Sequence, residues 1–122
     1  MDSYDKVLLV EDKEYNMLFL QEALANYPLQ LISAYDGLEA IEKVKENPDI
    51  KLVLMDVKMP KLDGYQSAKI IREYNSEIKI IAQTAYALEQ EIEHFSDSFD
   101  EYLIKPISKD KLARVISKYV NI

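Results

Sequence analysis

Lys6-Val7-Leu8-Leu9-Val10-Glu11-Asp12 decides the fold class: four consecutive apolar residues, rich in β-branching, run straight into two acids. A strand buried on both faces of a parallel sheet reads this way, because helices cover both sides and no solvent face enforces alternation. The pattern recurs. Lys51-Leu52-Val53-Leu54-Met55 ends at Asp56, Ile78-Lys79-Ile80-Ile81-Ala82 ends near Thr84, and residues 101–104 end at Lys105-Pro106. Residues 29–34 supply a further strand. Between these runs the spacing turns helical. Met17, Leu18, Leu20, Ala23 and Leu24 predict a helix over 14–26, closed by Asn26-Tyr27-Pro28. A turn at Asp36-Gly37 leads into a helix over 38–46 with Ala40, Ile41 and Val44 on one face, stopped by Asn47-Pro48. A third helix, 65–74, follows the loop Met59-Pro60-Lys61-Leu62-Asp63-Gly64, and a weakly patterned acidic one spans 88–95. The last, 109–119, turns Leu112, Val115 and Ile116 inward.

Five strands alternating with five helices predict an α/β domain, a (βα)5 doubly wound parallel sheet, because right-handed crossovers leave few other topologies. At 122 residues the chain is expected to form one domain, 1–122, with a hydrophobic core that needs no disulfide. It has no cysteine, which excludes a thiolate metal site and a cysteine nucleophile. A net charge of -7 argues against direct nucleic-acid binding, which rests on neutralising phosphates with Lys and Arg. Apolar runs fall far short of a membrane span, and Met1-Asp2-Ser3-Tyr4-Asp5 lacks the pattern of a signal peptide, so direct membrane contact is not expected. The chain is expected in the cytoplasm, or in the cytoplasmic part of a membrane-anchored parent.

Ligands of open α/β sheets bind beyond the carboxyl ends of the strands. Those ends carry Glu11 and Asp12, Asp56, Thr84 and Lys105. Taken singly, each has a plain structural reading: a solvated turn carboxylate, a helix-capping threonine, a surface lysine. Taken together, three carboxylates repel one another unless a cation sits among them, and Mg2+ suits carboxylate oxygens, waters and a phosphate oxygen. Asp56 is then a candidate nucleophile toward a phosphoryl group. Lys105 offers a fixed ammonium, and the Thr84 hydroxyl a hydrogen bond to a phosphoryl oxygen.

These residues resemble the receiver domains of response regulators in two-component signalling. The resemblance rests on Val10-Glu11-Asp12, on 55–64 from Met55-Asp56 to Asp63-Gly64, on Thr84-Ala85 and on Tyr102-Leu103-Ile104-Lys105-Pro106. Motif wording around Glu11, Asp56 and Gln83-Thr84-Ala85 is similar to receivers attached to hybrid sensor histidine kinases. The resemblance implies a flavodoxin-like receiver fold and phosphoryl transfer to Asp56 from the phosphohistidine of a histidine kinase or histidine phosphotransfer domain. It implies Mg2+ held by Glu11, Asp12, Asp56 and the backbone carbonyl of Lys58. It further implies a cis bond before Pro106, Thr84 and Tyr102 as switch residues, and a homodimer through the fourth helix, fifth strand and fifth helix. Such a domain is not an enzyme in isolation, since it catalyses only its own phosphorylation and dephosphorylation, although a hybrid parent would be a kinase.

Other readings stand beside these. Tyr102 also reads as a half-buried strand tyrosine with its hydroxyl in water. Met59-Pro60 and Asp63-Gly64 read as loop geometry, with glycine permitting a positive φ. Lys58 and Tyr86 flank the phosphoryl position and are expected to limit water access. His94, the sole histidine, reads as a surface residue. The family usually has a small-residue pair with glycine before the fifth strand, where this chain has Asp97-Ser98-Phe99-Asp100, so that loop is expected to differ in shape. A Mg2+-dependent phosphohydrolase would want an acid two residues after Asp56 and meets Lys58. A flavin or nucleotide binder would want a phosphate-cradling loop where Glu11-Asp12 repels phosphate.

Overall fold

Apolar runs without alternation become strands buried on both faces. The computed structural model describes residues 4–59, 62–85 and 98–122. Among them are five strands, β1 (Asp5–Val10), β2 (Leu29–Ala34), β3 (Ile50–Asp56), β4 (Lys79–Thr84) and β5 (Glu101–Ile104). All pair in parallel in one sheet of order β2-β1-β3-β4-β5. Val7 to Val10 and Leu52 to Met55 are fully buried, which is why their sequence shows no period of two.

Four helices are described: α1 (Glu14–Leu24), α2 (Gly37–Glu46), α3 (Gly64–Tyr74) and α4 (Lys109–Ile116). The helix expected over 88–95, with Tyr86 and His94, lies outside the described residues. One sheet face packs Ala40 and Val44 of α2 and Ala68 and Ile71 of α3 against Leu8, Val10, Val53 and Ile80. The other packs Met17, Leu20 and Leu24 of α1 and Leu112 and Ile116 of α4 against Leu9, Leu54 and Leu103. Emptying any one fully buried leucine of either layer is a change of about 2–5 kcal/mol.

Two glycines correct the sequence reading. Asp36-Gly37 is not a free turn: the Asp36 carboxylate caps α2 by accepting from Glu39 N at 2.8 Å, and Gly37 is the first helical residue. Nor does Gly64 supply a positive φ, since neither glycine has one. Both are demanded by close approach. A Cβ on Gly37 would lie 2.3 Å from the Leu62 carbonyl oxygen, and one on Gly64 would lie 2.6 Å from the Asp56 carbonyl oxygen. Asp63 completes the start of α3 as a capping box with Gln66.

The unusual segment before β5 has its own support. Arg72 at the end of α3 donates to the carbonyls of Ile78 and Ser98 and to Asp100 Oδ2 at 2.6 Å. The same Asp100 oxygen accepts from Ile80 N at 2.8 Å, so one carboxylate ties α3 and β4 to the approach of β5. Phe99 is buried in the gap between Tyr65 and Tyr102, its ring centroid 6.4 Å and 6.3 Å from theirs.

Candidate functional site

Strand order reverses between β1 and β3, and the carboxyl ends of those strands carry the acids. Glu11 is 1% exposed, and its Oε1 accepts from Asn16 Nδ2 at 3.1 Å and from Lys13 N at 3.2 Å. The first turn of α1 therefore orients it. Asp56 closes β3, also buried, with Lys105 Nζ donating to its Oδ1 at 3.2 Å and lying 3.7 Å from Glu11 Oε2. Carboxylate oxygens of Glu11, Asp12 and Asp56 lie within 4.8 Å of one another.

This crowding has an electrostatic consequence. Burial pushes the Asp56 carboxyl up to about 6, the Glu11 charge adds to the rise, and Lys105 opposes it. A cation would reverse that penalty, and the donor set fits a hard divalent one. Among the described residues Glu11 Oε2 and Asp12 Oδ1 are buried and accept no hydrogen bond, which fits the oxygen ligands of a hard cation.

A cleft of about 240 Å3 gathers Glu11, Asp12, Asp56, Lys58, Thr84 and Lys105. Thr84 ends β4, and its carbonyl accepts from Lys105 N at 2.8 Å, which sets the spacing of the threonine and lysine across neighbouring strands. The Lys105–Pro106 peptide is cis. Tyr102 is not in the cleft: it is half-buried against Phe99 on the α2/α3 side of the sheet, and burial raises its hydroxyl above the ordinary tyrosine range. Sequence reasoning assigned no role to Asn16, which orients Glu11, or to Gln83, whose Cα is the register partner of Asp56. The available signal for Gln83 was an amide interrupting an apolar strand.

The fold and this cleft define an α/β domain with an acidic cleft at the carboxyl ends of its parallel strands. The chain belongs to the response regulator receiver domain family, whose profile matches residues 7–117, and it is thus a receiver domain of two-component signalling. It is 36% identical over 123 residues to the sensor histidine kinase GacS of Pseudomonas protegens, an alignment covering 96% of this chain and 13% of that protein. It is 37% identical over 123 residues to the peroxide stress-activated histidine kinase mak1 of Schizosaccharomyces pombe, covering 94% of this chain and 8% of that protein. The chain thus spans a small fraction of the length of these relatives. Among solved structures, the receiver domain of the sensor histidine kinase PA1611 from Pseudomonas aeruginosa, crystallised with a magnesium ion in its active-site cleft, superposes with a TM-score of 0.87. It is 28% identical, with 98% of this chain and 99% of that one covered. Among the described residues, no helix is long and apolar enough to cross a membrane.

Proposed function

We propose that residues 1–122 act as one phosphoacceptor domain, taking a phosphoryl group onto Asp56 from the phosphohistidine of a histidine kinase or histidine phosphotransfer domain. One observation carries the reading: three carboxylates converge within 4.8 Å at the switch point of the sheet, with Lys105 Nζ 3.2 Å from Asp56 Oδ1. A carboxylate oxygen of Asp56 attacks phosphorus. The new P–O bond forms as the P–N bond of phosphohistidine breaks, and the bonding pair stays on the imidazole nitrogen. Lys105 and the Thr84 hydroxyl receive the anionic oxygens through charge-assisted hydrogen bonds. Glu11, Asp12, Asp56 and the carbonyl of Lys58 would hold Mg2+, which when bound supplies positive charge beside the transferring oxygens. The isolated domain is no enzyme beyond its own phosphorylation and dephosphorylation.

Phosphorylation adds about -1.5 to -2 charges to a site already crowded with acids. Thr84 and Lys105 turn to the new oxygens, Tyr102 moves inward, and the surface carrying β5 and α4 is altered for a partner or a second receiver. Converting such an equilibrium from mostly off to mostly on takes roughly 5.5 kcal/mol of differential interaction, within reach of a few charge-assisted hydrogen bonds. The net charge of -7 keeps the domain off nucleic acid and anionic membrane surfaces. Its place is the cytoplasm, alone or as the cytoplasmic part of a membrane sensor kinase. Intact mass after incubation with Mg2+ and acetyl phosphate tests the reading. One added phosphoryl group, lost in Asp56→Asn and in EDTA, is the expected result; no gain with Mg2+ binding verified separately overturns it.

A further inference from the structure

Gln83 breaks the apolar run Ile80-Ile81-Ala82 one residue before Thr84, yet it is only 2% exposed. Its backbone lies directly beside the phosphoacceptor strand: Gln83 is the register partner of Asp56, and Val57 N donates to its carbonyl at 3.1 Å. Side chains two apart on a strand share a face. Glu11 therefore follows Leu9, Asp56 follows Leu54, Gln83 follows Ile81 and Lys105 follows Leu103, and all four apolar predecessors belong to the α1/α4 layer. Gln83 sits beside Asp56 on the neighbouring strand, and Lys105 lies two residues beyond Leu103, the register partner of Gln83. Gln83, Glu11 and Lys105 line both the phosphoacceptor cleft and a second cleft of about 430 Å3 walled by Phe19, Pro106 and Ile107.

Gln83 Nε2 is buried and, among the described residues, donates no hydrogen bond. A buried donor without an acceptor has lost its hydration and gained nothing for it. One oxygen of each neighbouring carboxylate is already engaged: Asp56 Oδ1 accepts from Lys105, and Glu11 Oε1 accepts from Asn16 and Lys13 N. A phosphoryl group arriving on Asp56 brings three strong acceptor oxygens to this site. We infer that Gln83 is a phosphoryl-binding residue whose side-chain amide donates to an oxygen of the group carried by Asp56, a third donor beside Thr84 and Lys105. The inference rests on the reading of Asp56 as the phosphoacceptor.

Beryllofluoride, a phosphoryl mimic, titrated with Mg2+ into the whole chain tests it. The Gln83 side-chain amide is followed by 15N–1H NMR, and affinities are compared for wild type, Gln83→Met and Gln83→Glu. The amide resonances are expected to move on saturation. Affinity is expected to fall about tenfold in Gln83→Met, which keeps the length without the donor, and further in Gln83→Glu, whose carboxylate repels the anion. Unmoved amide resonances in wild type, or a Gln83→Met affinity within about twofold of wild type, overturn the inference and assign the donor to a water in the second cleft. The wild-type resonance needs no variant, so a misfolded substitution leaves that arm intact. A wild type that neither binds beryllofluoride nor gains a phosphoryl group overturns the phosphoacceptor reading itself, and this inference with it.

Discussion

Gly64→Ala is expected to destabilise the domain by about 1–2 kcal/mol, although alanine ordinarily favours a helix over glycine by up to about 1 kcal/mol. Gly64 has no positive φ to lose. Its added Cβ would lie 2.6 Å from the Asp56 carbonyl oxygen and 2.7 Å from Val57 Cα, where ordinary contact begins at 3.4 Å. Both atoms are backbone, so relief requires the start of α3 to withdraw from β3 by roughly 0.7–0.8 Å at a typical overpacking cost of about 1–3 kcal/mol. Withdrawal also stretches the 2.9 Å hydrogen bond from Gly64 N to the Val57 carbonyl. Urea denaturation reads the effect as a lower midpoint at unchanged slope. Because the first atom struck belongs to Asp56, the rate of phosphoryl uptake from acetyl phosphate is expected to fall as well. A midpoint equal to or above that of wild type would refute the close-approach argument.

In metal-free protein, carboxyl 13C NMR is expected to show Asp56 titrating near 6, raised by burial and then by Glu11 against the opposing Lys105. A raised folded pKa means that this group's contribution is fully present below about 4 and is lost as pH rises through about 6. Asp56→Asn is therefore expected to raise the urea midpoint at pH 7 more than at pH 4; titration in the ordinary carboxylate range would contradict this. Asp100→Ala removes the acceptor shared by Arg72 and Ile80 N and is expected to cost about 2 kcal/mol, with a coupling to Arg72→Met of about 1 kcal/mol in a double-mutant cycle. Additive single effects would show the clamp to be idle. Tyr119 donates to Glu101 Oε1 at 2.6 Å, and burial with that carboxylate pushes its hydroxyl up to about 12. Tyr119→Phe is expected to cost about 1 kcal/mol below pH 10, an advantage of wild type that fades as pH rises toward 12; an equal gap at pH 8 and pH 11.5 would count against it.

The strands were legible wherever burial on both faces left an uninterrupted apolar run, as at Val7 to Val10 and Leu52 to Met55. Glu101–Ile104 is bounded as its flanking Asp100 and Lys105 suggest. The acids and the lysine were legible as a group because each sits at or just past the end of a strand, and parallel strands bring such ends to one edge. What depended on two segments meeting was not legible. Asp36-Gly37 has turn residues, but the glycine answers to Leu62 and Ser67 of a segment 25 or more positions away. The departure from the family's small-residue pair was read at Asp97-Ser98, and only the packing of Tyr65 and Tyr102 shows what the neighbouring Phe99 fills. Asn16 and Gln83 had no role readable from their residue types alone; helix phase aims one at Glu11, and strand register sets the other beside Asp56.

On this mechanism Asp56 itself carries the phosphoryl group. Borohydride reduction of the acetyl phosphate-treated protein, followed by peptide mass mapping, tests it most directly, because only an acyl phosphate is reduced at its carboxyl carbon. The reduced side chain is expected at position 56, present with Mg2+ and absent in EDTA. A phosphoryl group that survives borohydride, or a reduced residue at Glu11 or Asp12 instead, would contradict it.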